Sequence, residues 1–167
     1  MALILSGDTG VPASGMPTGS VIQTVYATTT TRTSNTTNTL TDATGFTATI
    51  TPTSSTSKIM VVVGAQWELF RSAIEVAGWF VILRNGTTVF SQSANSNGME
   101  AGLSSNGRIY MDSFFAPSVI DSPASTSPLT YKLQFALSNT GSSGVMSINN
   151  QGNNTQTGSI ILLEIKA

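Results

Sequence analysis

KIMVVVGAQWELFRSAIEVAGWFVILR, residues 58–84, is the stretch that decides how this chain folds. Ile59, Met60, Val61, Val62 and Val63 form a short apolar run rich in β-branched side chains, which fit a pleated surface better than a helix. Residues 78–83 form a second run of the same kind. Directly after them come Asn85-Gly86 and then Thr87, Thr88, Val89 and Phe90. Asn-Gly between two apolar segments signals a two-residue hairpin, because both central positions of a type I′ turn need positive φ. The region therefore supplies two central strands and a tight return. Between the runs, Leu69, Ala73 and Val76 fit one face of a short helix ending at Gly78. The flanking runs fit two strands joined by a loop around residues 70–73, and the pattern leaves both readings of residues 68–77 open.

Working outward, further strands appear at near-regular spacing. Residues 20–27 carry Val21, Ile22, Val25 and Tyr26. Residues 28–39 are almost all Thr, Asn and Ser, either a long loop or an exposed strand. Phe46, Ala48 and Ile50 alternate with Thr47, Thr49 and Thr51. Residues 94–106 are rich in Ser, Asn and Gly and read as a long surface loop. Residues 108–120 form a long strand candidate that Pro117 breaks or places at a sheet edge. Leu129, Tyr131, Leu133, Phe135 and Leu137 occupy one face of a strand, with Thr130, Lys132, Gln134 and Ala136 on the other. Residues 145–150 alternate again. Ile160, Ile161, Leu162, Leu163, Glu164 and Ile165 close the chain as a strand that is central or buried at an interface. The fold class is all-β, an antiparallel β-sandwich, jelly-roll-like, with about eight or nine strands.

Composition narrows the function. Of 167 residues, 40% are hydrophobic but only 9% are charged, against about 25% in an ordinary domain. The polar surface is therefore built from Thr, Ser, Asn, Gln and Gly. Net charge is −1 with no basic run, which argues against nucleic-acid binding through phosphate neutralisation. Cysteine and histidine are both absent, which excludes disulfides, thiolate or imidazole metal ligands, and Ser-His-Asp chemistry. Residues 1–10 lack the basic start and long apolar core of a secretory signal, and no stretch approaches the length of a membrane-spanning helix. No cofactor, metal or catalytic residue is expected.

The acids are scattered. Glu68 with Glu75, or Asp112 with Asp121, are the pairs that flanking a glycosidic bond would require, but nothing in their spacing demands it. The segment 141–144 has no following helix or lysine, so it is no phosphate cradle. Trp67, Trp79, Tyr26, Tyr110 and Tyr131 lie in apolar strands and read as core or subunit-interface residues. Two Asn-X-Thr matches, at Asn35 and Asn85, have no secretory context.

Four segments together resemble a broad group of bacteriophage virion proteins found in phages of cyanobacteria and other aquatic bacteria: FTATITPTSSTSKIMVVV (46–63), VILRNGTTV (81–89), IDSPASTSPLTYKLQ (120–134) and IILLEIKA (160–167). The group comprises tail-fibre, head-fibre and unassigned structural proteins. The resemblance implies an all-β, non-enzymatic, trimeric protein on the virion exterior, assembled in the bacterial host cytoplasm. About twenty residues precede the domain, where a fibre would carry a long shaft, which fits a compact capsid cement or decoration protein. The alternative is a tail-fibre or head-fibre tip that recognises a host surface glycan. Residues 1–19 are read as an extended N-terminal arm and 20–167 as one β-sandwich domain. Partner contacts are expected from Ala2, Leu3, Ile4, Leu5, Val11 and Met16 toward a second copy, the phage major capsid protein or another virion protein. A glycan would meet the loop at Asn95, Asn97, Met99 and Asn106. Neither nucleic acid nor membrane insertion is expected.

Overall fold

The computed structural model describes residues 15–71, 76–92, 99–101, 109–138, 144–149 and 156–167. Among these, twelve strands run in chain order: β1 (Val21–Thr29), β2 (Thr33–Asn35), β3 (Thr41–Ile50), β4 (Lys58–Arg71), β5 (Val76–Arg84), β6 (Thr87–Ser91), β7 (Met99–Ala101), β8 (Ile109–Phe115), β9 (Ser118–Asp121), β10 (Leu129–Leu137), β11 (Val145–Ile148) and β12 (Gly158–Ile165). All their pairings are antiparallel.

The spine is β4, fourteen residues long. One flank is a single strand interrupted once. β8 pairs with Ala65–Arg71 and β9 with Ile59–Val62, and the register does not change between them. The break falls at Ala116-Pro117, where proline has no N–H to give; its carbonyl still accepts the Val63 N–H at 3.2 Å. The other flank is also broken. β12 pairs with residues 58–64 and β11 with residues 67–70, and the Asn149 N–H bonds the Gln66 carbonyl between them. Beyond this flank, β1 pairs with β12 and β2 with β11. The first sheet is thus four ranks wide: β1/β2, β12/β11, β4, β8/β9. The second sheet runs β3, β10, β5, then β6 and β7 together on the far side of β5.

Counted as ranks in chain order, the sheets read 1-8-3-6 and 2-7-4-5, the connectivity of a jelly roll. Eight ranks agree with the expected eight or nine strands. Twelve segments are seen because four ranks are split by a proline or an excursion of the chain. The strand read at residues 59–63 is one part of a much longer β4. Residues 68–77 give strand at both ends, to Arg71 and from Val76. The polar stretch 28–39 holds the three-residue β2, and the expected loop 94–106 contains β7, which pairs with Val76–Gly78.

The core lies between the sheets. Ile59, Val61, Val63, Ala65, Trp67 and Leu69 of β4 face inward, each at most 4% exposed. They meet Phe46, Ala48 and Ile50 of β3, Phe80 and Ile82 of β5, and the predicted face of β10, from Leu129 to Leu137. Phe80 stacks on Phe115 across the sandwich, ring centroids 4.1 Å apart. The hairpin expected at Asn85-Gly86 is present, with φ of 46° and 86°. The Asn85 amide oxygen accepts the Thr130 N–H at 2.8 Å and pins the hairpin to β10. Gly45 (φ 83°) sits where the β3–β10 register slips, and a β-carbon there would come 2.4 Å from Thr29 Oγ1.

Candidate functional site

A sandwich strand with only one buried face alternates apolar and polar residues. β10 and β3 obey this; β4 and β12 do not, and neither does β5 of the second sheet, where Trp79, Val81 and Leu83 lie on the outer side of Phe80 and Ile82. In β4, Met60 and Val62 point away from the core, and in β12 Ile161, Leu163 and Ile165 do the same; all are half-buried. Register lines them up. Tyr26 lies opposite Ile161, Ile161 opposite Val62, and Val62 opposite Ser118. One row along, Leu163 lies opposite Met60 and Met60 opposite Ile120. At the end, Val21 lies opposite Ile165. The ends of these rows are open to solvent: Tyr26 is 70% exposed, Ile120 52% and Val21 47%. Each of the two main rows is apolar over three of the four ranks, the first ending on Ser118 of β9 and the second starting from Thr24 of β1, and together they make a staggered apolar band on the first sheet's outer face.

Further along β4 the same outer face turns polar. Gln66 lies opposite Phe114, and Glu68 sits between Asp112 and Ser147. Ser147 shares a hydrogen bond of 2.9 Å with Ser34 and accepts one from Arg32 Nη2 at 3.3 Å. The second sheet's outer face is polar on β3 and β10. Thr49 and Thr130 hydroxyls are 2.9 Å apart, and Asp42 accepts bonds from Lys132 and Gln134.

Of the two carboxylate pairs the sequence offers, only Asp112 with Asp121 lies within the described residues, and it does not converge; register instead sets Glu68 opposite Asp112. Asp112 and Asp121 lie nine residues apart along one extended flank, roughly 30 Å, where hydrolysis of a glycosidic bond needs about 5–9.5 Å. Asp121 instead clamps the two sheets. It accepts Arg84 Nη1 at 2.6 and 2.8 Å and the Tyr131 hydroxyl at 2.7 Å. Burial pushes the Tyr131 phenol well above its ordinary pKa, and its bond to Asp121 adds to this. The hydrogen bond to Asp121 raises Arg84. Glu164 is fully buried and accepts the Thr53 N–H at 2.7 Å and the Thr53 hydroxyl at 2.8 Å, capping the 51–57 turn. Glu75 lies outside the described residues. Among the described residues, no group of three His, Cys, Asp or Glu side chains is placed to hold a metal, and no helix is long and apolar enough to cross a membrane.

Of the expected partner contacts, Ala2, Leu3, Ile4, Leu5 and Val11 lie outside the described residues. Met16 is half-buried, and its carbonyl accepts the Lys166 ammonium. The Gly19 N–H bonds the Lys166 carbonyl at 2.8 Å, so the chain enters the sheet tied to its C-terminal strand. A cleft of about 340 Å³ lies at this corner, lined by Ile22, Thr53, Ser54, Thr56, Ser57 and Lys166. Of the expected glycan contacts, Asn95, Asn97 and Asn106 lie outside the described residues, and Met99 is the first residue of β7, opposite Gly78. Of the residues read as core or subunit interface, Trp67 and Tyr131 are in the core, and Tyr26 stands outside it on the outer face of an edge strand. The band itself was announced by apolar residues at both parities in KIMVVV and IILLEI.

No family model matches the chain, and no curated protein matches it. Solved structures that it resembles are viral capsid proteins. Against the VP2 subviral particle of infectious bursal disease virus, identity is 16% and the TM-score 0.43, covering 100% of this chain and 42% of that one. Against the Gt strain of the same virus, identity is 18% and the TM-score 0.42, covering 99% and 47%. The chain spans less than half the length of these capsid proteins.

Proposed function

We propose that this chain is a non-enzymatic structural protein of a bacteriophage particle, working as a homotrimeric cement or decoration protein on the outside of the head. The apolar band on one outer face of the sandwich carries this reading. Half-buried apolar residues aligned over three ranks, with exposed apolar residues at their ends, have a use when another surface covers them. The molecule is two-sided: one outer face is built to dock, and the other carries paired hydroxyls and an ion pair on β3 and β10, with Trp79, Val81 and Leu83 of β5 beside them. Docking onto the major capsid protein or another virion protein would remove the band from water. Trimerisation would cover sheet edges such as β1/β2 and β8/β9. The resemblance of residues 46–63, 81–89, 120–134 and 160–167 to phage virion proteins points the same way. Sparse charge and the lack of Cys and His give a surface indifferent to redox and to pH near neutrality.

Copy number per particle tests it. Quantitative mass spectrometry of purified virions should find hundreds of copies, with antibody labelling on the head. A handful of copies at the tail or on a head fibre, with binding specific to the host, would instead identify a fibre tip that reads surface glycan. Absence from the particle would overturn both.

A further inference from the structure

Among the described residues, four large apolar side chains are exposed, and all sit at the two edges of the first sheet: Val21 and Tyr26 on β1, Phe114 and Ile120 on the β8/β9 flank. Neither edge has a further strand beside it among those residues, since β1 pairs only with β12, and β8 and β9 only with β4. Unpaired edges with apolar side chains along them are open to another strand. The two edges match each other in direction. β1 runs against β12, β12 against β4 and β4 against β9, so β1 and β9 have opposite senses. A copy rotated about an axis along the strands therefore brings its β9 beside β1 as an antiparallel pair. The side chains match as well. Tyr26 shares its row with Ser118, and Thr24 shares the next row with Ile120. Continuing the rows into a neighbouring copy sets Tyr26 beside that copy's Ser118, and its Ile120 beside Thr24. Each large apolar group meets a smaller hydroxyl residue. The neighbour's Ile120 also lies diagonally between Tyr26 and Val21, within the roughly 7–8 Å that an aromatic side chain bridges. Charge follows the same pattern. Ser34, Ser147, Glu68 and Asp112 form one row, and Arg32, bonded to Ser147, lies two residues before Ser34. The continuation places a neighbour's Asp112 beside Ser34 and diagonal to Arg32, and both charged residues are exposed.

We infer that copies of this chain join edge to edge, β8/β9 of one against β1/β2 of the next, so that the first sheet runs on from copy to copy. The partner is a second copy of this chain, met through two different surfaces, a head-to-tail contact that makes a ring where the rotation closes. The inference rests on the homotrimer reading and names the surfaces that build it. It also gives the stagger of the apolar band a purpose. Within one copy each main row ends on a hydroxyl residue at one edge. Across the junction the apolar ends overlap, and the band continues around the ring. Its upper surface stays open, so the docking face becomes one multivalent surface.

The chain has no cysteine, so introduced thiols report cleanly. Thr24 and Ile120 are both exposed. Within one copy they lie three inter-strand steps apart, about 14 Å and too far for a disulfide, whereas residues directly opposed across an antiparallel junction lie about 5 Å apart. In concentrated full-length protein under mild oxidation, a mixture of the single variants Thr24→Cys and Ile120→Cys should form covalent dimers at least about tenfold faster than either variant alone. Either variant cross-linking alone as fast as the mixture would overturn the inference, because like edges would then be paired. A mixture that stays uncrosslinked would overturn it too. Sedimentation gives a second measurement, with matching thermal melts confirming the folds. Arg32→Asp or Asp112→Arg alone should weaken self-association about tenfold, and the two together should restore it. A double variant no better than the single ones would also sink the inference. All of this uses isolated protein. Cross-links from a chain absent from virions would leave the edge contact standing and remove the cement reading; hundreds of copies per particle without such cross-links would do the reverse.

Discussion

The outer side of β3 and β10 and the outer side of β1, β12, β4 and β9 belong to one sandwich, yet they are finished differently. On the second sheet, β3 and β10 present Thr47, Thr49, Thr130, Lys132 and Gln134 to water, and the acid among them, Asp42, is paired. On the first sheet, the equivalent positions of β1, β12, β4 and β9 hold Tyr26, Ile161, Leu163, Met60, Val62 and Ile120. Fold stability does not require the second arrangement, because the core between the sheets is already filled. The difference lies at the level of function: an outward apolar row contributes free energy only when something covers it.

The largest effect should come from giving the first face the character of the second. Tyr26→Lys with Ile120→Lys changes two positions that are 70% and 52% exposed, so stability should shift by no more than about 0.5 kcal/mol. Rebinding to particles stripped of the protein should weaken about 1,000-fold, since two apolar anchors in a docking face cost on the order of 2 kcal/mol each. Co-sedimentation of labelled protein with particles measures this. Unchanged rebinding would mean that the two faces do not differ in purpose.

A smaller effect is expected at the clamp that holds the faces in their relation. Arg84 and Tyr131 belong to the second sheet and Asp121 to the first. Asp121→Ala leaves a largely buried guanidinium and a buried phenol without their acceptor, at a cost of about 2–3 kcal/mol in urea unfolding. The clamp also gives a pH signature. The Tyr131 phenol has its pKa raised in the folded state, so the protonated form is the one folding favours. Its contribution is fully present below the unfolded tyrosine value of about 10 and is lost as pH rises beyond it. Urea midpoints from pH 8 to 11 should therefore fall more steeply in the native chain than in Tyr131→Phe.

Much of this was legible in the sequence because side-chain parity carries it. The face of β10 from Leu129 to Leu137 followed from strict alternation, and the Asn85-Gly86 turn from a requirement for positive φ. The failure of alternation in residues 160–165 correctly pointed to a strand apolar on both sides. For Tyr26 the sequence left core and subunit interface both open, because an edge strand with half-buried residues on its inner side carries too weak an alternation to tell its faces apart; the structure puts it outside the core. β7 escaped because three residues among Ser, Asn and Gly form a strand only when Val76–Gly78 offers an edge to pair with, a contact distant in sequence. The clamp of Arg84, Asp121 and Tyr131 escaped for the same reason: its members are tens of residues apart, and only the topology brings them together.

The smallest expected effect concerns the polar face itself and tests whether its ion pair is merely tolerated by solvent. Lys132 Nζ lies 2.8 Å from Asp42, whose side chain is 56% exposed. Partial burial pushes the Asp42 carboxyl up, but hydrogen bonds from Lys132 and Gln134 together outweigh this and hold it below its ordinary value. A lowered folded pKa means the stabilisation is present above the unfolded value of about 3.9 and disappears as pH falls through the folded one. At neutral pH and low salt, Asp42→Asn should cost about 0.5 kcal/mol or less, and the difference should vanish near 1 M salt, where screening acts within about 3 Å. Particle rebinding should not change at all. If Asp42→Asn instead weakened docking as much as Tyr26→Lys with Ile120→Lys, the polar face would be a contact surface too, and the apolar band would lose its claim to be the side on which this molecule meets its partner.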